Sequence, residues 1–197
     1  MATERSAPPA TVDALLRAAA RELAVGSESP RLDAELLLAH ALGVARVDLY
    51  RTLFDVVPDD AAARFGAALA ERAAGRPVAQ LTGTRDFWTL SLSVTRATLT
   101  PRPETEALVA RALELLPADA TGPVLDLGTG TAAIALALAT ERPRLGIVAT
   151  DLSKPALTVA RGNARRLGLR NVRFHLGDWF GALPAPARFA VIVSNPP

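Results

Sequence analysis

Ser194-Asn195-Pro196-Pro197 follows directly on the apolar run Phe189-Ala190-Val191-Ile192-Val193. The Asn195 side-chain carbonyl and the Pro196 backbone carbonyl can accept both hydrogens of an –NH₂ group. A planar amide or exocyclic amino nitrogen delocalises its lone pair and is a poor nucleophile. Two acceptors orient it and draw electron density onto it as bonding changes. Prolines suit such a loop, because their fixed φ holds the carbonyls in place and they add no competing donor. Asn195, Pro196 and Pro197 are thus candidates for holding and activating a nitrogen that attacks a sulfonium methyl group in line. That chemistry calls for no metal, covalent intermediate or redox cofactor. An Asn followed by two prolines also ends a strand as an ordinary turn; the motif becomes specific only at the end of the fourth strand of a glycine-loop sheet.

The glycine loop is Gly128-Thr129-Gly130-Thr131-Ala132, between the apolar run Val124-Leu125-Asp126-Leu127 and the breaker-free segment Ala132 to Ala139. The first reads as a buried strand and the second as the helix that follows it. Such a turn leaves the helix's first N–H groups aimed above the strand end, where a nucleotide-like ligand binds. The stretch satisfies the G-x-G-x-x-G/A fingerprint, so alone it does not separate nicotinamide cofactors from S-adenosylmethionine. Asp151 lies about 20 residues further on, where an acid accepts hydrogen bonds from ribose hydroxyls; it can equally be a helix N-terminal acid before Ser153. Asp178-Trp179-Phe180 would supply an acceptor for an adenine amino group beside an aromatic surface, although Trp179 could equally be core. A nicotinamide site has no use for Asn195-Pro196-Pro197.

These residues need a scaffold that gathers them. Val124–Leu127, Leu145–Asp151, a strand within Asn171–Asp178, and Phe189–Ser194 alternate with helices over Ala132–Ala139 and Ser153–Leu167, the pattern of a parallel, doubly wound sheet. Right-handed crossovers place all four carboxyl ends on one edge, so Gly128, Asp151, Asp178 and Asn195 should line one crevice. Upstream, TVDALLRAAARELAVG places Val12, Leu15, Leu16, Ala19 and Leu23 on one helical face, with Thr11 as N-cap and Gly26 past the end. Helices are also expected over Leu32–Leu42, over Val47–Phe54, and from Pro58 to about Gly75. The alternation of Phe87, Leu90, Leu92 and Val94 with Thr89, Ser91 and Ser93 predicts a β-hairpin within residues 78–99, and Glu104–Leu116 a helix. Arg102, Glu104 and Glu106 read most simply as capping and solvated residues of that helix. His40 lies in an apolar helix with no second ligand at metal spacing. The expected organisation is a helical domain over 1–75, a hairpin linker over 76–100, and a sheet domain over 101–197.

Half of the residues are hydrophobic, enough for a sizeable core, and the net charge is +2 with Lys154 the single lysine. No basic run is interleaved with aromatics, so sequence-specific nucleic-acid binding is not expected. The absence of cysteine excludes disulfides, thiolate nucleophiles and Cys-based metal sites. The opening MATERSAPPA lacks the apolar core of a signal peptide, and no apolar run approaches the ~20 residues that cross a bilayer. A soluble, cytoplasmic protein is expected.

The sequence resembles the release factor glutamine methyltransferase family (PrmC/HemK). The resemblance is carried by Arg76-Pro77-Val78-Ala79-Gln80-Leu81-Thr82-Gly83, Phe87-Trp88, Thr100-Pro101-Arg102-Pro103-Glu104-Thr105-Glu106, Val124 to Ala139, Gly177-Asp178-Trp179-Phe180 and Val193 to Pro197. It implies an α/β protein with an N-terminal helical bundle and an incomplete Rossmann-like class I S-adenosylmethionine methyltransferase sheet. It implies S-adenosylmethionine as cofactor at Gly128, Thr129, Gly130, Thr131, Ala132, Asp151, Asp178, Trp179 and Asn195. Catalysis and the substrate glutamine fall to Asn195, Pro196 and Pro197. The implied reaction is methylation of the side-chain amide nitrogen of a Gly-Gly-Gln glutamine in peptide chain release factors, which the helical domain helps to dock. Members of the family are expected to be monomeric.

Two features depart from the family. Ala132 stands where a third glycine is usual: it weakens binding if that position needs φ > 0, and favours the helix if the position is already helical. The sequence also stops at Pro197, where the family continues. Phe189–Val193 is apolar on both faces, and in a 3-2-1-4 strand order it forms a bare hydrophobic edge. The chain is therefore expected to be a fragment that self-associates through this edge or needs a partner to cover it. Two other readings are a catalytically inactive remnant that binds cofactor or release factor, and a DNA adenine N6-methyltransferase.

Overall fold

The computed structural model describes residues 10–183 and 187–195. The chain divides into two compact units, one up to Thr82 and one from Gly83.

The first unit is helical: α1 (Val12–Glu22), α2 (Pro30–Leu42), α3 (Asp59–Ala73) and the short α4 (Val78–Thr82). The Thr11 hydroxyl accepts from the Ala14 N–H to start α1, and Gly43 ends α2 at φ +69, in the left-handed region that glycine tolerates best. Val12, Leu16, Leu37, Leu38, Phe65 and Leu69 form its core. Within α2, Glu35 is buried and accepts from Arg31 and Arg46, both at 2.8 Å, and from the Tyr50 hydroxyl at 2.7 Å. Burial alone would push its carboxyl up, but these hydrogen bonds outweigh it and leave it below the ordinary carboxylate value.

Two segments differ from the sequence reading. The helix expected over Val47–Phe54 is a 3₁₀ turn over Arg46–Arg51. Residues 78–82, placed in the hairpin region, form α4, punctuated by Pro77 before it and Gly83 at φ +77 after it. The hairpin is confined to β1 (Thr84–Phe87) and β2 (Leu90–Ser93), joined by Trp88 and Thr89.

The second unit continues with α5 (Glu106–Leu115), β3 (Val124–Leu127), α6 (Ala133–Glu141), β4 (Ile147–Asp151), α7 (Lys154–Arg166), β5 (Val172–Leu176) and β6 (Val191–Ser194). The sheet is parallel, in the order β5-β4-β3-β6. Leu127 pairs with Thr150 on one side and Ser194 on the other, which brings the strand ends level. Every residue of β3 is buried, and so is α6 from Ala133 to Ala139; an apolar helix surface on all sides is stable only when covered on all sides. No described helix is long and apolar enough to cross a membrane.

Asn163 of α7, fully buried, ties three elements together. Its Oδ1 accepts from the Ser93 N–H at 2.7 Å, and its Nδ2 donates to the Ser93 and Thr131 carbonyls, both at 3.1 Å. One side chain thus joins α7, the hairpin and the loop after β3. Truncation to alanine leaves three backbone groups short of a partner, so Asn163→Ala should lose roughly 3 kcal/mol in urea unfolding. It should also speed exchange of the Ser93 amide proton.

Candidate functional site

The loop between β3 and α6 owes its shape to alternating left-handed residues: Gly128 at φ +68, Gly130 at +55 and Ala132 at +67. The Thr129 N–H donates to the Thr150 carbonyl at 2.9 Å, prolonging the β3–β4 ladder past the last strand residue. The Gly130 N–H donates to Asp151 Oδ2 at 2.8 Å. Asp151 Oδ1 accepts from the Ser153 N–H at 2.8 Å, at the start of α7. Asp151 therefore serves the local role that the sequence offered for it and also fixes the glycine loop. Its carboxylate keeps further lone pairs for a ligand hydroxyl.

Ala132 takes the first of its two alternatives, since its φ lies in the left-handed region and it is fully buried. A β-carbon there costs on the order of 1–2 kcal/mol, partly offset by glycine's greater loss of freedom on folding.

An open cleft above this loop is lined by Leu99–Arg102, Thr105, Asp126, Gly128–Thr131, Ala133, Ile134 and Asn195. Gly128, Thr129, Gly130, Thr131 and Asn195, all singled out in the sequence, meet here. Asn195 donates its Nδ2 to Thr105 Oγ1 at 2.9 Å, and the Ser194 hydroxyl donates to the Leu127 carbonyl at 2.9 Å, closing β6 against β3. Asp178 and Trp179 follow β5 but do not line this cleft. Trp179 is 52% exposed and lies at φ +42, so it is no part of the core. Pro196 and Pro197 lie outside the described residues.

Three cleft residues went unremarked as site residues in the sequence. Asp126 is buried within β3 at 2% exposure, and its Oδ2 accepts from the Thr129 hydroxyl at 2.6 Å. Burial pushes its carboxyl up to about 7, against the lowering effect of the Thr129 and Ala135 hydrogen bonds, with Asp151 adding a smaller upward push. A carboxylate inside an otherwise apolar strand was the available signal. The Thr100 hydroxyl is buried without a partner among the described residues, and it belongs to the cleft wall. Thr105 gave no local signal, because its contact with Asn195 spans 90 residues. Among the described residues, no group of His, Cys, Asp and Glu could hold a metal ion.

Glu106 departs from the simple capping account. It accepts the Trp88 N–H at 2.8 Å, while Glu141 accepts the Trp88 Nε1–H at 2.7 Å. Together they hold a tryptophan at φ +55 in a turn position that usually goes to glycine.

Residues 14–83 match the PrmC N-terminal domain family, and residues 118–196 match a methyltransferase domain family. Three similar proteins are each described as a release factor glutamine methyltransferase. That of Aliivibrio fischeri is 43% identical over 95% of this chain and 66% of its own length. That of Escherichia coli is 48% identical over 87% of this chain and 61% of its own. That of Cereibacter sphaeroides is 49% identical over 94% and 65%. The chain thus spans 61–66% of the length of these curated relatives.

Two outcomes follow for the site. Ala132→Gly should raise the stability of the second unit by about 1 kcal/mol in urea unfolding. Asp126 takes up its proton more readily folded than unfolded, so its contribution is full below about pH 4 and is lost as pH rises through about 7. Asp126→Asn should cancel this dependence. The stability of the variant minus that of the parent should rise by up to about 4 kcal/mol between pH 4 and pH 8, whatever the constant offset.

Proposed function

Because the chain belongs to the release factor glutamine methyltransferase family, we propose that its sheet edge binds S-adenosylmethionine and directs methylation of a glutamine side-chain amide in a peptide chain release factor. The observation that carries this reading is the meeting of Asn195 with the glycine loop and Asp126 in one cleft. The donor set fits the cofactor. Asp126 places a buried carboxyl at the cleft, and a cation there would draw it back toward the ionised form. The Thr100 hydroxyl, buried without a partner among the described residues, offers a polar group in the cleft wall. Asp151, Asp178 and Trp179 are not among the residues that line the cleft. The ribose and adenine are assigned to these strand ends, with Asp151 accepting from ribose hydroxyls and Asp178 and Trp179 serving the adenine.

When bound, the cofactor supplies a methyl group on a sulfonium sulfur. Asn195 Oδ1 accepts one N–H of the substrate carboxamide, and the Pro196 carbonyl is assigned the other. The pair orient the nitrogen and raise its electron density as it attacks. The Ser194 hydrogen bond keeps this acceptor level with the glycine loop. The helical first unit is assigned to docking the release factor.

Transfer of labelled methyl from S-adenosylmethionine to a purified release factor tests the proposal. Label should appear on the Gly-Gly-Gln glutamine and fall by about 100-fold in Asn195→Ala, the scale of losing one transition-state contact. Cofactor binding without transfer, with folded protein in the same tube, would instead mark a binding remnant.

A further inference from the structure

We propose that Thr105 is a positioning residue that anchors the Asn195 carboxamide at the cleft wall, and so holds its Oδ1 in place for a carboxamide substrate. The inference rests on the reading of Asn195 given above. A carboxamide carries opposite functions at its two ends: Oδ1 accepts, Nδ2 donates, and rotation about χ2 exchanges them through a broad, two-fold torsional profile. Asn195 is exposed at the end of β6. An incoming amide nitrogen brings N–H donors. It is received when Oδ1 points outward and opposed when the NH₂ group does.

Thr105 supplies an anchor for this side chain. It is 6% exposed and ends the 3₁₀ turn Pro103–Thr105. Its N–H donates to the Arg102 carbonyl at 3.0 Å. Pro103 fixes the backbone at the start of that turn, so the Thr105 hydroxyl is delivered from a short, rigid segment whose wall also forms the cleft. Its Oγ1 accepts from Asn195 Nδ2 at 2.9 Å. This hydrogen bond engages the NH₂ group and leaves Oδ1 without a partner among the described residues. The reacting groups are untouched by Thr105 itself, which acts only through Asn195.

The test uses the whole chain with Thr105→Val, which keeps shape and burial, Thr105→Ala as a second truncation, and Thr105→Ser, which restores the hydroxyl. Thermal melts establish that each variant folds. Affinity for a Gly-Gly-Gln peptide is measured with S-adenosylhomocysteine saturating. Affinity for S-adenosylhomocysteine alone is measured separately. The Asn195 side-chain NH₂ resonance, identified by its loss in Asn195→Asp, reports hydrogen exchange directly. Thr105→Val and Thr105→Ala should weaken the peptide by roughly 3- to 10-fold, the scale of one hydrogen bond, with Thr105→Ser near the parent. S-Adenosylhomocysteine affinity should stay within about twofold throughout, and the Asn195 NH₂ should exchange faster in the valine and alanine variants only. Unchanged peptide affinity in both truncations, or a parallel loss of S-adenosylhomocysteine, overturns the assignment. If the parent chain takes no peptide, the glutamine reading fails by itself. Asn195 exchange then decides for Thr105: faster in valine and alanine but not in serine upholds it, and unchanged exchange overturns it.

Discussion

The chain must pass from a strand with no exposed residue to a helix buried from Ala133 to Ala139, through residues 128–132 alone. Neither element can shift to ease the connection, because β3 is clamped between β4 and β6 and α6 is apolar on every side. The turn is therefore made within the backbone, by three left-handed residues alternating with two threonines. What the chain could not bury it turned upward: the Gly128–Thr131 segment and the head of α6 form the floor of the cleft. The cleft floor and the left-handed turn are largely the same residues.

Polar groups hold that turn from three directions. Asp151 reaches across from β4, Asp126 rises from beneath through the Thr129 hydroxyl, and Asn163 grips the Thr131 carbonyl from α7. All three carry side chains that are costly to bury unless satisfied, and each acts on a loop that has few contacts of its own. Rigidity at the floor is thus imported from neighbouring elements.

Much of this was legible in order and type. The strand–helix alternation fixed a parallel sheet in the observed order, because right-handed crossovers leave few alternatives. Gly128, Gly130 and Asn195 were found as site candidates because glycine punctuation and a polar residue at a strand end are local signals. Residues 78–82 were misplaced because the alternation of the neighbouring hairpin was extended over a segment whose own markers, Pro77 and Gly83, belong to a helix. Asp126, Thr100 and Thr105 were missed for different reasons. Asp126 looks like a lapse in an apolar run until its burial is seen. Thr100 matters through a hydroxyl left without a partner, and Thr105 through a residue far along the chain, neither of which a window of sequence contains. Glu106 was read as a helix cap because its partner Trp88 lies across the fold.

The sequence holds two tryptophans, and they sit in opposite surroundings. Trp88 is half-buried at the hairpin turn, with its indole N–H engaged by Glu141, whereas Trp179 is largely in solvent after β5. Indole emission shifts to longer wavelength with solvent exposure, so the molecule carries a blue reporter of hairpin docking and a red reporter at the strand ends. Replacing either by phenylalanine leaves a single-probe protein. One fluorophore then follows the scaffold and the other the strand-end edge, without any added dye.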